Sequence, residues 1–396
     1  MDASTQSRTW VTRNLVVLSF VSFLQDTASE LLYPVLPIFL TATLGAPVAV
    51  VGSIEAVAEG VAAIAKYGAG RVADRVQPRR IVGLGYGLAA LGKLIVAVAG
   101  VWPVVLAGRG VDRLGKGIRG APRDALLIED IPVHARGRAF GVHRAADTAG
   151  AVVGPLLGLA LYEAFGHRIR PLLLIAVIPG VLSALAVSLA RDSHVVARVR
   201  AARASGEARI HVPIPDDARR VIGALAIFSF VNFPDALLLL RAHELGHGVA
   251  GVILLYCVYN FSYAALSYPA GALADRLAAN IVYALGLACF AIAYFGLGVI
   301  EDPRWAWPLF VVYGGFQAAT DGVGKSWVSR LVPAEIQGRT QGTLQAANGF
   351  GVLVAGIWAG LAWRGTGSVP LVISGAVALL AAAYVATALR ARELSA

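Results

Sequence analysis

The sequence predicts an all-α polytopic membrane protein with twelve transmembrane helices in two pseudo-symmetric six-helix bundles. Three observations predict this fold: the composition, the number of apolar segments and a short motif that occurs twice. Hydrophobic residues make up 57% of the 396 residues and charged residues only 15%, and the mean hydropathy is +0.69. Charge this sparse does not cover the surface of a soluble globule, so we expect the lipid bilayer as a partner.

Twelve apolar segments are long enough to cross the bilayer core as helices, which takes roughly 20 residues. In chain order they lie near 14–42, 47–69, 80–100, 102–127, 139–162, 170–190, 220–241, 249–270, 281–300, 306–329, 341–362 and 369–389. The first is interpreted as a retained span, because no small-residue cleavage site follows a short apolar core. The predicted domains are a first bundle over 1–190, a cytoplasmic linker over 191–219 and a second bundle over 220–396.

The repeated motif is Gly-x-x-Ala-Asp-Arg, at 70–75 and again at 271–276. Its recurrence after half the chain indicates duplication, and its place between apolar segments predicts a tight turn between two helices. The aspartate there can accept hydrogen bonds from the start of a neighbouring helix or from an arginine. We therefore predict a cytoplasmic latch in each half, formed by Gly70, Asp74, Arg75 and Arg79, and by Gly271, Asp275 and Arg276.

The net charge of +10 indicates orientation rather than a nucleic-acid partner. With both termini cytoplasmic, most of the 34 Lys and Arg residues fall in the inside loops and tails, as the positive-inside rule requires. The chain is thus predicted to be a multi-pass protein of the plasma (inner) membrane. We expect a monomer without a cofactor.

Ionisable residues inside spans indicate the functional site, because each costs about 2.5–3.5 kcal/mol on insertion scales and needs a wet or paired environment. Several are spaced i, i+4, which places them on one helix face. The predicted proton-coupling and cavity residues of the first half are Asp26, Glu30, Glu55, Glu59, Arg109, Asp112, Lys116, His143, Arg144 and Asp147. Those of the second half are Asp235, Tyr256, Asn260, Gln317, Asp321, Lys325 and Asn348.

Structural roles for some of these charges stay open. Asp112 with Lys116, and Asp321 with Lys325, repeat the pattern DxxGK and fit i, i+4 ion pairs that only stabilise the helices. Four further arginines are interpreted as anchors at the inside edge of the membrane: Arg119, Arg123, Arg136 and Arg138.

At these residues the chain resembles the major facilitator superfamily of secondary transporters. The family motif G-x-L-A-D-R-x-G-R-R/K is matched at Gly70, Asp74, Arg75 and Arg79, with Gln77 and Pro78 where the family has Gly and Arg. Residues 150–158 fit its fifth-span pattern G-x-x-x-G-P-x-x-G, which is associated with antiporters. By their own spacing, Gly150, Gly154 and Gly158 predict a helix-packing face, and Pro155 can bend that helix. The resemblance implies two bundles that rock about a central site.

The predicted function is proton-coupled export of a cationic or polar small solute, because an acidic first-half wall faces a neutral second-half wall. The solute is a drug, an organic cation or a divalent metal, and export rests on the antiporter-like pattern. Metal ligands would be Asp26, Glu30, Glu55, Glu59, His143 and Asp147, which suit a borderline divalent cation. Proton-coupled import of a small metabolite or a metal chelate is the alternative. A membrane enzyme or lipid-binding protein is more remote, because the sequence lacks HExxH and P-loop motifs.

Overall fold

The computed structural model describes residues 10–33, 36, 39–46, 58, 60–62, 64–66, 68–69, 76–198, 213–363 and 367–389. Most of the predicted second span lies outside these residues. Outside them also lie Glu55, Glu59 and, from the first copy of the motif, Gly70, Asp74 and Arg75.

The described part of the chain is helical and contains no strand, so the all-α prediction is confirmed. The first half forms α1 (Arg13–Leu32), α2 (Pro78–Val98), α3 (Trp102–Ile128), α4 (Arg136–Ala164) and α5 (Ile169–Ala186). The second half forms α6 (Asp216–Ser229), α7 (Asp235–Glu244), α8 (Val249–Arg276), α9 (Ala279–Val299), α10 (Ala306–Arg330), α11 (Gln337–Ala362) and α12 (Ser368–Thr387).

Eight helical segments in the described residues are long and apolar enough to cross a membrane. Helices α3 and α10 are not among them, although they have 27 and 25 residues, and both carry the charged DxxGK segment. A helix with that much charge needs the interior of the bundle, since lipid offers it no partner. Large apolar side chains such as Phe261 (66% exposed) and Leu380 (73% exposed) instead point outward, as expected of a surface that faces lipid.

The predicted seventh span is interrupted, which corrects the continuous helix expected over 220–241. Helix α6 ends at Ser229 and α7 begins at Asp235. Pro234 explains the break, because proline has no backbone N–H and disfavours helical geometry in the residue before it. The break places Asp235 in the first turn of a new helix.

The second copy of the repeated motif is helical, which corrects the predicted turn. Gly271 and Asp275 lie in the last turns of α8, which continues to Arg276. Gly271 lies against the backbone of Gly137 at the start of α4, where a Cβ on either glycine would clash. We call the end of the molecule where α4 begins and α8 and α10 end the latch end.

Glycines bring neighbouring helices into close contact within the first half. In α4, Gly150 and Gly154 lie against the α1 backbone near Thr27, and Gly158 lies against Leu31. Pro155 is inside this helix. Between α2 and α3, Gly92 packs so tightly that an added Cβ would lie 2.6 Å from the backbone nitrogen of Asp112. Helix α4 in turn packs along α8 and joins the two halves.

The packing of α2 on α3 predicts opposite effects for two glycines on the same helix. Gly92→Ala should lower the free energy of unfolding by about 1–3 kcal/mol, because the added methyl group overpacks the contact. Gly87→Ala is the matched control, since nothing lies within 4 Å of its Cβ position, and it should be neutral or stabilising by up to about 1 kcal/mol. Thermal unfolding in detergent measures both. Equal melting temperatures for the two variants would contradict the close approach.

Candidate functional site

A cavity of about 480 Å³ lies between the two halves. Its charged lining residues are Asp26, Lys66, Lys116, Arg119, Arg123, Arg144, Asp147, Asp321 and Lys325. Its uncharged polar lining residues include Ser229, Asn232, Tyr283, Gln317, Thr320, Gln345 and Asn348. Among the described lining residues, six side chains are cationic and three are carboxylates.

Arg144 binds carboxylates from both halves. Its guanidinium lies 2.5 Å from Asp147 on the same helix and 2.5 Å from Asp321 on α10. Tyr263 on α8 donates a hydrogen bond of 2.8 Å to the same Asp321 oxygen. A buried charge needs this degree of pairing, because an unpaired one has a large desolvation penalty.

Lys325 forms a second connection between the halves. Its ammonium group lies 3.2 Å from Asp124 on α3 and 3.5 Å from Asp321 one turn earlier on α10. Asp124 is fully buried and also binds Arg123 at 3.0 Å. Gln345 on α11 donates a further hydrogen bond of 2.9 Å to it. We call Arg123, Asp124, Arg144, Asp147, Asp321 and Lys325 the inter-half network.

Arg119 and Lys116 are cavity cations that lie outside this network. Arg119 is only 6% exposed, its guanidinium lies 4.3 Å from the centre of the Tyr86 ring, and its Nη1 atom has no hydrogen-bond partner. Lys116 is exposed to the cavity and forms no ion pair or hydrogen bond with a described residue. Both side chains are therefore available to a ligand.

Asp26 connects the central cavity with a smaller cavity of about 60 Å³. The smaller cavity is also lined by Glu30, Arg109, Asp112 and Lys116. Asp26 forms no ion pair or hydrogen bond with a described residue, whereas Glu30 accepts a long hydrogen bond of 3.5 Å from Tyr256 of the other half. Among the described carboxylates of the central cavity, Asp26 is thus the one that lies outside the inter-half network.

The i, i+4 pair expected between Asp112 and Lys116 is absent from the described structure. Asp112 instead binds Lys93 on α2 at 2.9 Å, and both side chains are almost fully buried. Arg109 and Arg113 lie 3.7 Å and 3.6 Å from its other oxygen. The close packing of α2 on α3 explains the change of partner, because it brings Lys93 nearer than the next turn of α3.

Other predicted site residues lie away from the central cavity. Asp235 accepts a hydrogen bond of 2.6 Å from Tyr313, and Asn260 donates to the backbone of its own helix at 2.9 Å. His143 is 1% exposed and its Nδ1 atom lies 3.5 Å from Ser19. Among the described residues, no three His, Cys, Asp or Glu side chains form a group suited to a metal ion. The described members of the predicted ligand set therefore do not converge.

Asp275 binds the start of α4 at the latch end. Its two oxygens accept from the backbone nitrogens of Gly137 and Arg138, at 2.8 Å and 2.9 Å. The side chains of Arg138 and Arg330 bind the same carboxylate at 3.0 Å and 2.6 Å. This aspartate consequently connects α8 and α10 to the opposite half. Arg79, from the described end of the first motif, pairs instead with Asp192 at 2.8 Å.

The interpretation as edge anchors is wrong for Arg119 and Arg123, which line the central cavity, and stays a prediction for Arg136 and Arg138, which lie at the start of α4 at the latch end. Arg138 binds Asp275, and Arg136 donates to the backbone oxygen of Ser329 across the halves. The spacing of three and four residues from Arg109 through Asp112, Lys116 and Arg119 to Arg123 already indicated a single face of α3 that cannot point at lipid. Asp124 was not identified from the sequence as a site residue, although it directly follows Arg123.

Similarity to known proteins identifies the family. A sequence model of the Major Facilitator Superfamily matches residues 18–233 and again 221–395. The chain belongs to this superfamily. A multi-pass membrane protein of the superfamily performs secondary transport of small molecules and is not an enzyme. The resemblance seen in the sequence motifs is thereby confirmed.

Relatives and solved structures agree with this assignment. An uncharacterised MFS-type transporter of Methanocaldococcus jannaschii is 30% identical over 386 residues, which cover 93% of this chain and 95% of the relative. A Mycobacterium bovis protein is 27% identical over 345 residues, or 82% and 78% of the two chains. The human organic anion transporter MFSD10 superposes with a TM-score of 0.77 at 17% identity, over 94% of this chain and 99% of that one. The proton:xylose symporter XylE gives a TM-score of 0.76 at 15% identity, over 96% of each chain.

The burial of Asp124 predicts a large effect of its removal. Asp124→Asn should lower the free energy of unfolding by about 3–5 kcal/mol, because Arg123 and Lys325 would lose a buried partner. Asp216→Asn is the control, since Asp216 is 84% exposed and pairs with Arg219 on the protein surface, where such pairs contribute up to about 1 kcal/mol. Thermal unfolding in detergent compares them. Equal losses would mean that Asp124 is not part of a buried inter-half pair.

Proposed function

We propose that this superfamily member is a secondary active transporter that binds a small anionic solute, such as an organic carboxylate or a phosphate ester, in its central cavity. The observation that carries the proposal is the charge balance of the cavity. Six cations and three carboxylates are among its described lining residues, and Asp124, which binds two of those cations, adds a fourth carboxylate. Arg144 already binds two of those carboxylates, Asp147 and Asp321.

Lys116 and Arg119 supply the binding site for the anion. They lie at i and i+3 on α3, so both point from one helix face into the cavity. Arg119 is buried with an unused N–H donor, which disfavours the empty state because unsatisfied buried donors cost free energy. A carboxylate or phosphate oxygen would satisfy it with a charge-assisted hydrogen bond. The amide groups of Gln317, Gln345 and Asn348 lie on the opposite wall and suit polar substituents.

This proposal replaces the cationic solute predicted from the sequence. That prediction counted the carboxylates of the first half as one acidic wall. In the structure, Asp112 and Asp147 are bound by cations of their own half. Among the first-half carboxylates that the structure describes, Asp26 is the one that lines the central cavity outside the inter-half network. An organic cation or divalent metal would meet more cations than carboxylates among the described residues of the cavity.

We further propose that Asp26 carries the coupled proton. The charged groups that face it are Lys116 and Arg119 on α3, Asp147 on α4 and Glu30 on its own helix. Protonation of Asp26 removes a negative charge next to the two anion-binding cations, so it strengthens anion binding. Since the proton and the anion then favour each other's binding, they would move in the same direction. This coupling favours the proton-coupled import alternative over export by antiport.

The latch end completes the proposed transport cycle. Asp275 would hold the two halves together there in the present conformation and release them when the cavity opens to that side. Its hydrogen bonds to the first N–H groups of α4 gain from the positive end of the helix dipole. We propose that the latch end is cytoplasmic, as the distribution of Lys and Arg indicates.

Loss of either cavity cation should weaken anion binding by at least about tenfold, because a hydrogen bond to a charged group contributes about 1.5–3 kcal/mol. Lys116→Gln and Arg119→Gln would be compared with Arg304→Gln, since the Arg304 side chain is 88% exposed on a short 3-10 helix between α9 and α10. A thermal-shift screen of carboxylates and sugar phosphates, run beside tetraphenylphosphonium and Ni²⁺, identifies the ligand class for these titrations. Stabilisation by tetraphenylphosphonium or Ni²⁺, with none by the carboxylates or sugar phosphates, would overturn the proposal.

Neutralising Asp26 should change the pH dependence of binding in a defined direction. In the unmodified protein, affinity for the anion found in that screen should rise as the pH falls, because protonated Asp26 favours the anion. Asp26→Asn should bind tightly at all pH values tested, exchange anions across proteoliposome membranes and fail to accumulate them under a proton gradient. Retained proton-driven accumulation would assign coupling to another residue, for which Glu30→Gln and Glu59→Gln are the next variants.

A further inference from the structure

A second groove, of about 180 Å³, lies at the latch end outside the central cavity. It follows the junction of α4 with α8, and its lining residues are His134, Arg138, Tyr268, Ala272, Asp275 and Arg276. The groove contains the arginine of the repeated motif, which has no role in the network around Asp275. Arg276 is exposed and forms no ion pair with a described residue.

The charge that this groove offers to a ligand is positive. Asp275 is only 3% exposed at its side chain, and both of its oxygens are bound to Arg138, Arg330 and the start of α4. Arg138 uses its Nε atom for that bond, and its two terminal nitrogens form no hydrogen bond with a described residue. These nitrogens, Arg276 and His134 are therefore available to an anion.

The surroundings of the groove are those of a membrane interface. The Trp10 ring lies 5.2 Å below the Arg138 guanidinium and stacks on Tyr268 at 6.4 Å. Trp and Tyr are the side chains enriched where headgroups meet the hydrocarbon core. Leu273 and Leu277, on the last turn of α8 and just after it, are 40% and 47% exposed. Such a groove has apolar surface on one side and cations at its centre.

We propose that this groove binds the phosphate headgroup of an anionic glycerophospholipid. Arg276 from α8 and Arg138 from α4 contact the phosphate, and Trp10 and Tyr268 pack against the glycerol and the upper acyl chain. The bound lipid connects the two halves beside Asp275 and stabilises their contact at the latch end. This site is separate from the central cavity, so the lipid proposal does not depend on which solute the cavity binds.

The test is a titration of the detergent-solubilised protein with phosphatidylglycerol, followed by its melting temperature. Phosphatidylglycerol should raise the melting temperature more than phosphatidylcholine does. Arg276→Gln should need about fivefold more phosphatidylglycerol for the same shift, since each cation near an anionic lipid surface contributes about 1 kcal/mol. Arg276→Lys should retain most of the effect. Arg220→Gln, which removes an arginine with a side chain 77% exposed, should respond like the unmodified protein.

Each contrary result has a defined meaning. Equal shifts with phosphatidylglycerol and phosphatidylcholine would overturn the requirement for an anionic headgroup. Soluble glycerol phosphate that stabilises as well as the lipid would show a site for free phosphate esters and overturn the lipid assignment. An unchanged titration of Arg276→Gln would show that the lipid binds elsewhere. A failure of anion binding in the central cavity leaves all three comparisons valid.

Discussion

The contact between the two halves depends on ion pairs that neither half can complete alone. Arg144 of the first half binds Asp321 of the second, and Lys325 of the second binds Asp124 of the first. In a low-dielectric interior, separating such pairs without replacing them is strongly unfavourable. The network therefore stabilises one arrangement of the bundles and lines the space in which a solute would bind. Helix packing also contributes to this contact, where α4 packs along α8, and it brings the helices within the first half close together.

The two copies of DxxGK have diverged in what they bind. In the first half, Asp112 faces α2 and pairs with Lys93, so it connects two helices of the same bundle. In the second half, Asp321 and Lys325 face the opposite bundle. A duplicated motif thus supports packing in one half and contact between halves in the other. The divergence leaves Lys116, the partner expected for Asp112, exposed to the cavity.

The hydropathy of the chain was sufficient to predict the fold class, because a lipid bilayer requires each span to have a certain length and an apolar composition. Pro234 could have predicted the break between α6 and α7. The apolar residues around it led instead to the prediction of one continuous span. Side-chain partners were less accessible. The bonds from Asp112 to Lys93 and from Asp124 to Lys325 join different helices, and periodicity records only which face a residue lies on. Periodicity also does not give the depth of a side chain in the membrane. Arg119 and Arg123 were therefore interpreted as residues at the membrane edge, although they line the cavity.

An anionic solute gives the proposed transport cycle a physical link between binding and movement. A ligand shifts a conformational equilibrium only through a difference in its affinity for the two states. A carboxylate or phosphate beside Lys116 and Arg119 would also lie near Arg144 and Lys325, because all four cations line one cavity. It would compete there with Asp321 and Asp124 for the same cations. Binding of the anion would then lower the free-energy cost of separating the halves. A cationic solute could have the same effect only by competing for the carboxylates of these pairs, and the more numerous cations of the cavity would repel it.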